Sequence, residues 1–337
     1  MRLRSIHVVL GIVVLFGLGI GICLVVCPAS DARRVGYAHH FHGAGKDDGQ
    51  SPPNRLSSSD SGQTPVQADV LHYGYKVVKS YPHDWRSFTQ GLVYEDGFIY
   101  EGTGLYGQSA IFQRDLQTGK TAKTLRLSDE YFGEGIALVG DKLIELTWQS
   151  NVGFIYKKDT FTPLGQFKYP GEGWGLTYDG KRLILSDGTS TLRFLDPNTY
   201  AETGRIEVRD QGRPVPYINE LEFIADGPHV AQPPPAVKSE ESPPRAGMPQ
   251  AEVMNGSVYA NIWRTDQIAI IDPKTGRVTG WIDLSGLCPL PTDDQDDRVL
   301  NGIAYLPKTR HLLVTGKLWP RLYEIELISQ PQGKPNR

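Results

Sequence analysis

Five short stretches with the same opening recur along this chain, and that repetition constrains its fold more than any other feature. They are Gly91-Leu-Val-Tyr, Gly135-Ile-Ala-Leu, Gly175-Leu-Thr-Tyr, Glu220-Leu-Glu-Phe and Gly302-Ile-Ala-Tyr. The first three intervals are 44, 40 and 45 residues; the fourth is 82. Behind each opening come short runs rich in Val, Ile, Leu, Tyr and Phe. Turns such as Leu116-Gln-Thr-Gly119, Asp196-Pro-Asn198 and Asp272-Pro-Lys-Thr-Gly276 separate them. No long stretch has the period of an amphipathic helix, so the reading is all-β. Repeats of about 40–45 residues, each holding a few short strands, are the blades of a β-propeller. Five of them predict a five-bladed β-propeller over residues 69–330. The last unit has three strands before the chain ends, and Tyr73–Tyr81 is expected to be its missing outer strand. A Pro-rich insertion, about residues 225–255, accounts for the long fourth interval. It falls between the first and second strands of its blade. Its prolines and charges predict a disordered loop on the face opposite the start of the first strand.

Many short strands joined by tight turns need glycine, proline and aromatics, and the chain has 37 Gly, 24 Pro and 10% aromatic residues. The formal net charge is −3 with no Lys/Arg run, so no nucleic-acid partner is expected. Three cysteines, Cys23, Cys27 and Cys288, make neither a disulfide framework nor a Cys-based zinc site. The compartment is therefore read from the N-terminus. Arg2 and Arg4 precede an apolar run, Val8–Cys27, long enough to span a bilayer as a helix. Ser30-Asp31-Ala32 is also an acceptable cleavage site, so residues 1–32 are a signal-anchor or a signal peptide. Either way the basic N-terminus stays cytosolic and the body is exported. The propeller is expected in the lumen of the secretory pathway or outside the cell. It would be membrane-anchored through this segment only, or secreted after cleavage. Residues 33–68 have little to bury and read as a disordered stalk, with His39, His40 and His42 solvated rather than metal-binding. The sequon Asn255-Gly256-Ser257 would be open to glycosylation in a eukaryotic host.

The repeat also points to a site. The residue before each opening sits where the innermost strand begins: Gln90, Glu134, Trp174, Asn219 and Asn301. Fourteen positions on, the second strand returns to the same face with Gly104, Trp148 and Gly188. Allowing for the insertion, Trp263 is the fourth of this set, and a spacing two longer gives Lys317 as the fifth. Equivalent positions thus hold polar groups, tryptophans and glycines in no common pattern, which suits an axial ligand pocket. Glu134 beside Trp148 and Trp174 would be desolvated, raising its pKa toward general acid–base use. Lys317 and the amide of Asn219 would stabilise negative charge on a carbonyl oxygen. Gln90 and Asn301 would hydrogen-bond an amide substrate. A plainer reading makes Glu134 and Lys317 a buried ion pair and the tryptophans core.

Nine short stretches carry a further signal: Phe88-Thr-Gln-Gly91, Glu101-Gly-Thr-Gly-Leu-Tyr-Gly107, Tyr131-Phe-Gly-Glu-Gly135, Gly173-Trp-Gly175, Ser186-Asp-Gly-Thr-Ser-Thr-Leu192, Tyr217-Ile-Asn-Glu-Leu221, Ala260-Asn-Ile-Trp263, Val299-Leu-Asn-Gly302 and Val314-Thr-Gly-Lys-Leu-Trp-Pro320. In order, spread over the blades, they resemble the plant and bacterial type of glutaminyl-peptide cyclotransferase. The resemblance runs from about Tyr73 to Leu327. It implies a five-bladed propeller without a catalytic metal or cofactor, acting on peptides or proteins that begin with Gln. The free α-amine would attack the side-chain γ-carbonyl carbon, releasing ammonia and leaving pyroglutamate. Glu134 matches the family's acid/base residue, and Lys317 and Asn219 match residues that bind the amide oxygen. Gln90, Phe88, Phe132, Trp148, Trp174 and Trp263 match pocket residues, and a monomer is expected. The acidic loop Asp293–Asp297 departs from the pattern. It is expected on the active face, either attracting cationic peptide N-termini or merely solvated.

Two other classes fit parts of the pattern. Glu134, Asn219 and Asn301 near one axis would suit a hard cation in a calcium-dependent, lactonase-like hydrolase, although a cation beside Lys317 is costly. A non-catalytic propeller that binds protein partners would tolerate Glu134→Gln.

Overall fold

The computed structural model describes residues 69–225, 230–231, 256–288 and 297–330. The expected signal-anchor or signal peptide (1–32), the stalk (33–68), Asn255 of the sequon, residues 293–296 of the acidic loop and most of the insertion lie outside them. Every regular element among the described residues is a strand. After β1 (Leu71–Pro82) come three antiparallel four-stranded sheets. The first is β2 (Thr89–Glu95), β3 (Phe98–Thr103), β4 (Ala110–Asp115) and β5 (Thr121–Arg126). The second is β6 (Gly133–Val139), β7 (Lys142–Thr147), β8 (Val152–Lys157) and β9 (Pro163–Lys168). The third is β10 (Leu176–Tyr178), β11 (Leu183–Ser186), β12 (Thr191–Leu195) and β13 (Glu202–Glu207). A small hairpin, β14 (Arg209–Asp210) with β15 (Arg213–Pro214), precedes β16 (Ile218–Ile224). Then come β17 (Val230–Ala231) in the insertion, β18 (Ser257–Ile262), β19 (Gln267–Ile271) and β20 (Val278–Asp283). The chain closes with β21 (Leu300–Leu306), β22 (His311–Gly316) and β23 (Arg321–Ser329).

β1 pairs antiparallel with β23 from Tyr73 to Pro82, giving the last unit its outer strand as the sequence predicts. Its first residues, Leu71–Tyr73, also pair in parallel with Gly280–Ile282 of β20, so the last two units form one continuous ladder. The innermost strands neighbour one another in a cycle: β2 beside β6, then β10, β16, β21 and back to β2. The sheets are therefore in a propeller-like arrangement. Apolar faces close the gaps between neighbouring sheets. Tyr100, Ile111, Ile136, Leu143 and Phe161 fill one gap; Ile144, Leu146, Leu176, Leu183 and Leu185 fill the next. Each such aliphatic side chain contributes about 1.5–3 kcal/mol by leaving water.

Glycine at the opening of a unit is a packing requirement. A Cβ on Gly135 would stand 2.5 Å from the Leu176 nitrogen, and one on Gly175 would stand 2.1 Å from the Asn219 carbonyl oxygen. The inner strands can approach this closely only without side chains there. Glu220 occupies the same place in the fourth unit and turns its carboxylate to the backbone N–H groups of Ile303 (2.8 Å) and Leu92 (3.3 Å). It thereby ties three units together. Its burial pushes its carboxyl well above the usual range, as does the nearby Glu222.

The insertion departs from its expected free-loop form at its start. Val230–Ala231 pairs in parallel with Leu327 and Ile328 of β23. Those residues lie past His311, where β22 begins, whereas Lys317 follows the end of β22. This strand is thus on the side away from the rings of residues described below.

A buried charge cluster joins the first and last units. Arg114 Nε donates to Glu101 Oε2 at 3.1 Å, and Thr89 and Ser87 donate their hydroxyls to the same carboxylate. His83 contacts Glu101 Oε1 through Nε2 (2.9 Å) and the Trp319 carbonyl through Nδ1 (2.6 Å). A carbonyl and a carboxylate both accept, so both ring nitrogens donate and His83 is an imidazolium. Burial alone would lower its pKa, but the charge of Glu101 and the two hydrogen bonds outweigh it and raise it. Burial would raise Glu101, yet His83 and Arg114 hold it below the usual carboxylate range. The raised His83 contributes stability fully below its unfolded pKa and loses it as pH rises through the folded one. The lowered Glu101 contributes above its unfolded pKa and loses it as pH falls through the folded one. The window of full effect is therefore about pH 4.3–6.5. His83→Gln should cost about 3 kcal/mol there, and less in alkaline solution. Thermal melts across pH check this; a pH-independent difference would refute it.

Candidate active site

Four of the five inner strands carry a β-bulge where the candidate residues sit; β10 pairs with β11 in unbroken register. The ladder register slips between Thr89 and Gly91, Gly133 and Ile136, Ile218 and Leu221, and Leu300 and Ile303. A bulge leaves a residue out of the pairing and re-aims its side chain. Gln90, Glu134, Asn219 and Asn301 are those residues. The second set is locked to the first by one repeated hydrogen bond. Gly104 N–H donates to Phe88 O, Trp148 N–H to Phe132 O, Trp263 N–H to Tyr217 O and Lys317 N–H to Val299 O, all at 2.9–3.0 Å. The acceptor is in each case two residues before the inner-strand residue. Trp263, placed across the insertion, and Lys317, placed with a longer spacing, are thus structurally equivalent to Trp148. In the third unit Trp174 N–H bonds Ser186 O instead.

Glu134 is buried and accepts one hydrogen bond from the described residues, from Gln90 Nε2 at 2.9 Å. Burial pushes its carboxyl well above the usual range; the charge of Lys317 pulls the other way, and Glu172 and Glu145 push it further up. Lys317 is buried with its Nζ 4.7 Å from the centre of the Phe88 ring. Burial lowers its pKa, while Glu134 and Asp297 oppose that shift. Among the described residues no ion pair joins Glu134 and Lys317 directly. Each charge is thus partly suppressed and available to a ligand. The influence of Asp297 brings the end of the acidic loop to this face; it also pairs with Arg264 at 3.8 Å.

Asn301 uses one end of its amide inside the protein, and its buried Oδ1 has no hydrogen-bond partner among the described residues. It is wholly buried, and its Nδ2 donates to Thr89 O (2.9 Å) and Gln90 Oε1 (3.2 Å). It stands behind Gln90 and orients it, so that Asn301, Gln90 and Glu134 form one chain of hydrogen bonds. Asn219 is buried beside Gly175, and its carbonyl accepts from Ser186 Oγ at 2.6 Å.

The pocket tryptophans are half-buried, whereas Trp319 is core at 1% exposure. Phe132 touches Phe88 (6.1 Å between ring centres), Trp148 (5.5 Å) and the exposed Tyr106 (5.5 Å). Trp174 meets Trp263 edge to face at 5.7 Å, and Tyr217 lies 6.1 Å beyond. The glycines of the second set make room for this wall. A Cβ on Gly104 would strike Phe132 at 2.2 Å, and one on Gly188 would strike Trp174 at 2.6 Å. Tyr217 and Leu318 sit at φ 64° and 60°, in the left-handed region that costs a non-glycine residue about 1 kcal/mol or more. The Gly188 and Ser87 carbonyls accept their N–H groups and hold them there.

Sequence reasoning missed Glu172, Tyr106 and Tyr217. Glu172 and Tyr217 share one discoverable signal: they stand two residues before an inner-strand residue, as Phe88 and Phe132 do. Glu145 was missed too. It lies one unit on from Glu101, with both carboxylate oxygens buried and without a hydrogen-bond partner, and burial raises it well above the usual range.

A family model described as glutamine cyclotransferase matches residues 54–230 and 237–327. The chain is 41% identical over 256 residues to glutaminyl-peptide cyclotransferase from Arabidopsis thaliana, covering 75% of this chain and 71% of the relative. The crystal structure of Myxococcus xanthus glutaminyl cyclase is similar with a TM-score of 0.64 at 33% identity, over 78% of this chain and 100% of that one.

Proposed function

The chain belongs to the glutamine cyclotransferase family and is a glutaminyl-peptide cyclotransferase, an acyltransferase acting on peptides or proteins; we propose that Glu134 moves the protons of its reaction. The N-terminal glutamine enters the aromatic pocket with its side chain folded back on its own amine. The amine nitrogen attacks the γ-carbonyl carbon, a C–N bond forms, and the carbonyl π electrons move to oxygen. Lys317 Nζ and the Asn219 amide stabilise that oxygen. Glu134 accepts the proton lost by the amine and returns one to the γ-nitrogen. The carbonyl re-forms as the old C–N bond breaks, and ammonia leaves. Attack within one residue already benefits from proximity, so the remaining work is holding the rotamer and transferring protons.

One observation carries this reading: a buried carboxyl, Glu134, hydrogen-bonded among the described residues only to Gln90 and raised well above its usual pKa, in the same pocket as a buried lysine whose pKa is lowered. It fixes the expected pH dependence. Glu134 works as a base when ionised, so kcat/KM falls as pH drops through its raised pKa, above the ordinary value of about 4.3. Lys317 works when protonated, so activity falls again as pH rises through its lowered pKa, below the ordinary value of about 10.4. Ammonia release from a Gln-initiated dipeptide, measured across pH with and without a chelator, tests this. A bell-shaped, chelator-resistant profile is the expected result. Abolition by the chelator, or a flat acid side, would overturn it.

The finer architecture belongs to the same proposal. The cycle of inner strands supports five blades over residues 69–330. The apolar run Val8–Cys27 supports a signal-anchor or signal peptide, and hence a luminal or extracellular body touching the membrane only through that segment, with the sequon at Asn255 open to glycosylation in a eukaryotic host.

A further inference from the structure

The aromatic wall is continuous from Tyr106 through Phe132 to Trp148, and again from Trp174 through Trp263 to Tyr217. Between the two arcs stands a single carboxylate. Glu172 Oε2 accepts both indole N–H groups, from Trp148 at 2.7 Å and from Trp174 at 2.8 Å. Its other oxygen accepts from Gln149 Nε2 at 3.0 Å. An indole has one donor and no acceptor, so a shared acceptor is needed to hold two of them, and an ionised one makes the stronger bonds. At the equivalent place three of the other four units have an aromatic ring, Phe88, Phe132 or Tyr217, and the last has Val299; here a carboxylate joins the neighbouring indoles.

The backbone around Glu172 is built to hold it. Gly173 N–H donates to Trp148 O at 3.0 Å and Trp174 N–H to Ser186 O at 2.9 Å. A side chain at Gly173 would meet the Tyr169 hydroxyl at 2.4 Å, and Tyr169 is itself bonded to Thr147. Gly171 takes φ 78°, which glycine adopts freely, and its carbonyl accepts from Asn151. The carboxylate is therefore fixed in place before any substrate arrives.

We infer that Glu172 is a positioning residue of the cyclisation: it clamps Trp148 and Trp174 into one wall and places a negative charge beside Glu134. The inference rests on the reading of this pocket as the site of cyclisation. A wall fixed in this way holds the glutamine side chain folded toward its own amine, and small misplacements of such walls are costly. The charge adds to the effect of burial on Glu134.

Steady-state kinetics of the full chain with Glu172→Gln and Glu172→Ala test it. Glu172→Gln keeps an acceptor oxygen but no charge. Its acid limb in kcat/KM moves to lower pH, and KM rises roughly tenfold with a smaller change in kcat. Glu172→Ala raises KM further and alters the tryptophan emission of the free enzyme. That change disappears when Trp148 and Trp174 are both replaced by Phe. Wild-type KM and an unmoved acid limb in both variants would overturn the inference. Emission does not depend on which group is the base. If Glu134→Gln retained activity, the mechanism would fall while the clamp would still be decided by KM and emission.

Discussion

Glu134→Gln lowers kcat for pyroglutamate formation by about a thousandfold, within the range of about 10²–10⁴ that positioned acid–base groups supply. The substitution suits the question because Gln has the same shape and can still accept from Gln90 Nε2 as Glu134 does. The proton carrier is lost and the pocket is kept. KM should change little, because an isosteric amide leaves the aromatic wall in place. Stability should hold or rise. The raised Glu134 pKa means that the folded chain must spend free energy to ionise this carboxyl above its unfolded pKa, and an amide is free of that cost. Activity within tenfold of wild type, in a variant with an unchanged melting temperature, would remove Glu134 from the mechanism.

Lys317→Met should lower kcat/KM by about 100- to 1000-fold, the usual effect of losing one donor to a developing oxyanion. Met nearly matches the length of the side chain and preserves contact with the Phe88 ring, so the change isolates the charge. A second effect has a definite sign. Lys317 is the cation that pulls the Glu134 pKa down against burial. Without it the acid limb of the profile moves to higher pH. In Glu172→Gln the limb moves the opposite way, because an anion is removed. Opposite shifts in the two variants would place Glu134 electrically between Glu172 and Lys317; a shared direction would contradict that placement. Loss of activity with no shift of the limb would separate the oxygen-binding role of Lys317 from its effect on the base.

Much of this architecture is legible because a propeller repeats. Once Gly91, Gly135, Gly175, Glu220 and Gly302 are aligned, the residue before each is a ring, and counting along the blade indexes a second ring. The shared hydrogen bonds to Phe88, Phe132, Tyr217 and Val299 carbonyls show why counting works: four of the five units close the start of the inner strand with the same bond. Asn301 shows where counting stops. Its repeat position matches that of Glu134, but its Nδ2 is taken up by Thr89 O and Gln90 Oε1, while its buried Oδ1 has no hydrogen-bond partner among the described residues. Which way a buried amide faces depends on neighbours from another unit, more than 200 positions away in the sequence.

The sequence by itself determined the periodic parts: all strands, the unit length, the glycine that opens four of the five units, the outer strand taken from Tyr73–Tyr81 and the set of residues at one end. These follow from local rules of alternation, turn chemistry and repeat spacing. Tertiary structure alone decided the aperiodic parts. Among them are the parallel pairing of Leu71–Tyr73 with β20, the His83–Glu101 cluster, the Glu220 tie between units and the hold of Glu172 on two indoles. Each is a contact between segments far apart in the chain, or a charge whose pKa is set by what buries it. No spacing rule encodes a distance across the axis, and desolvation exists only once the sheets have closed around the group.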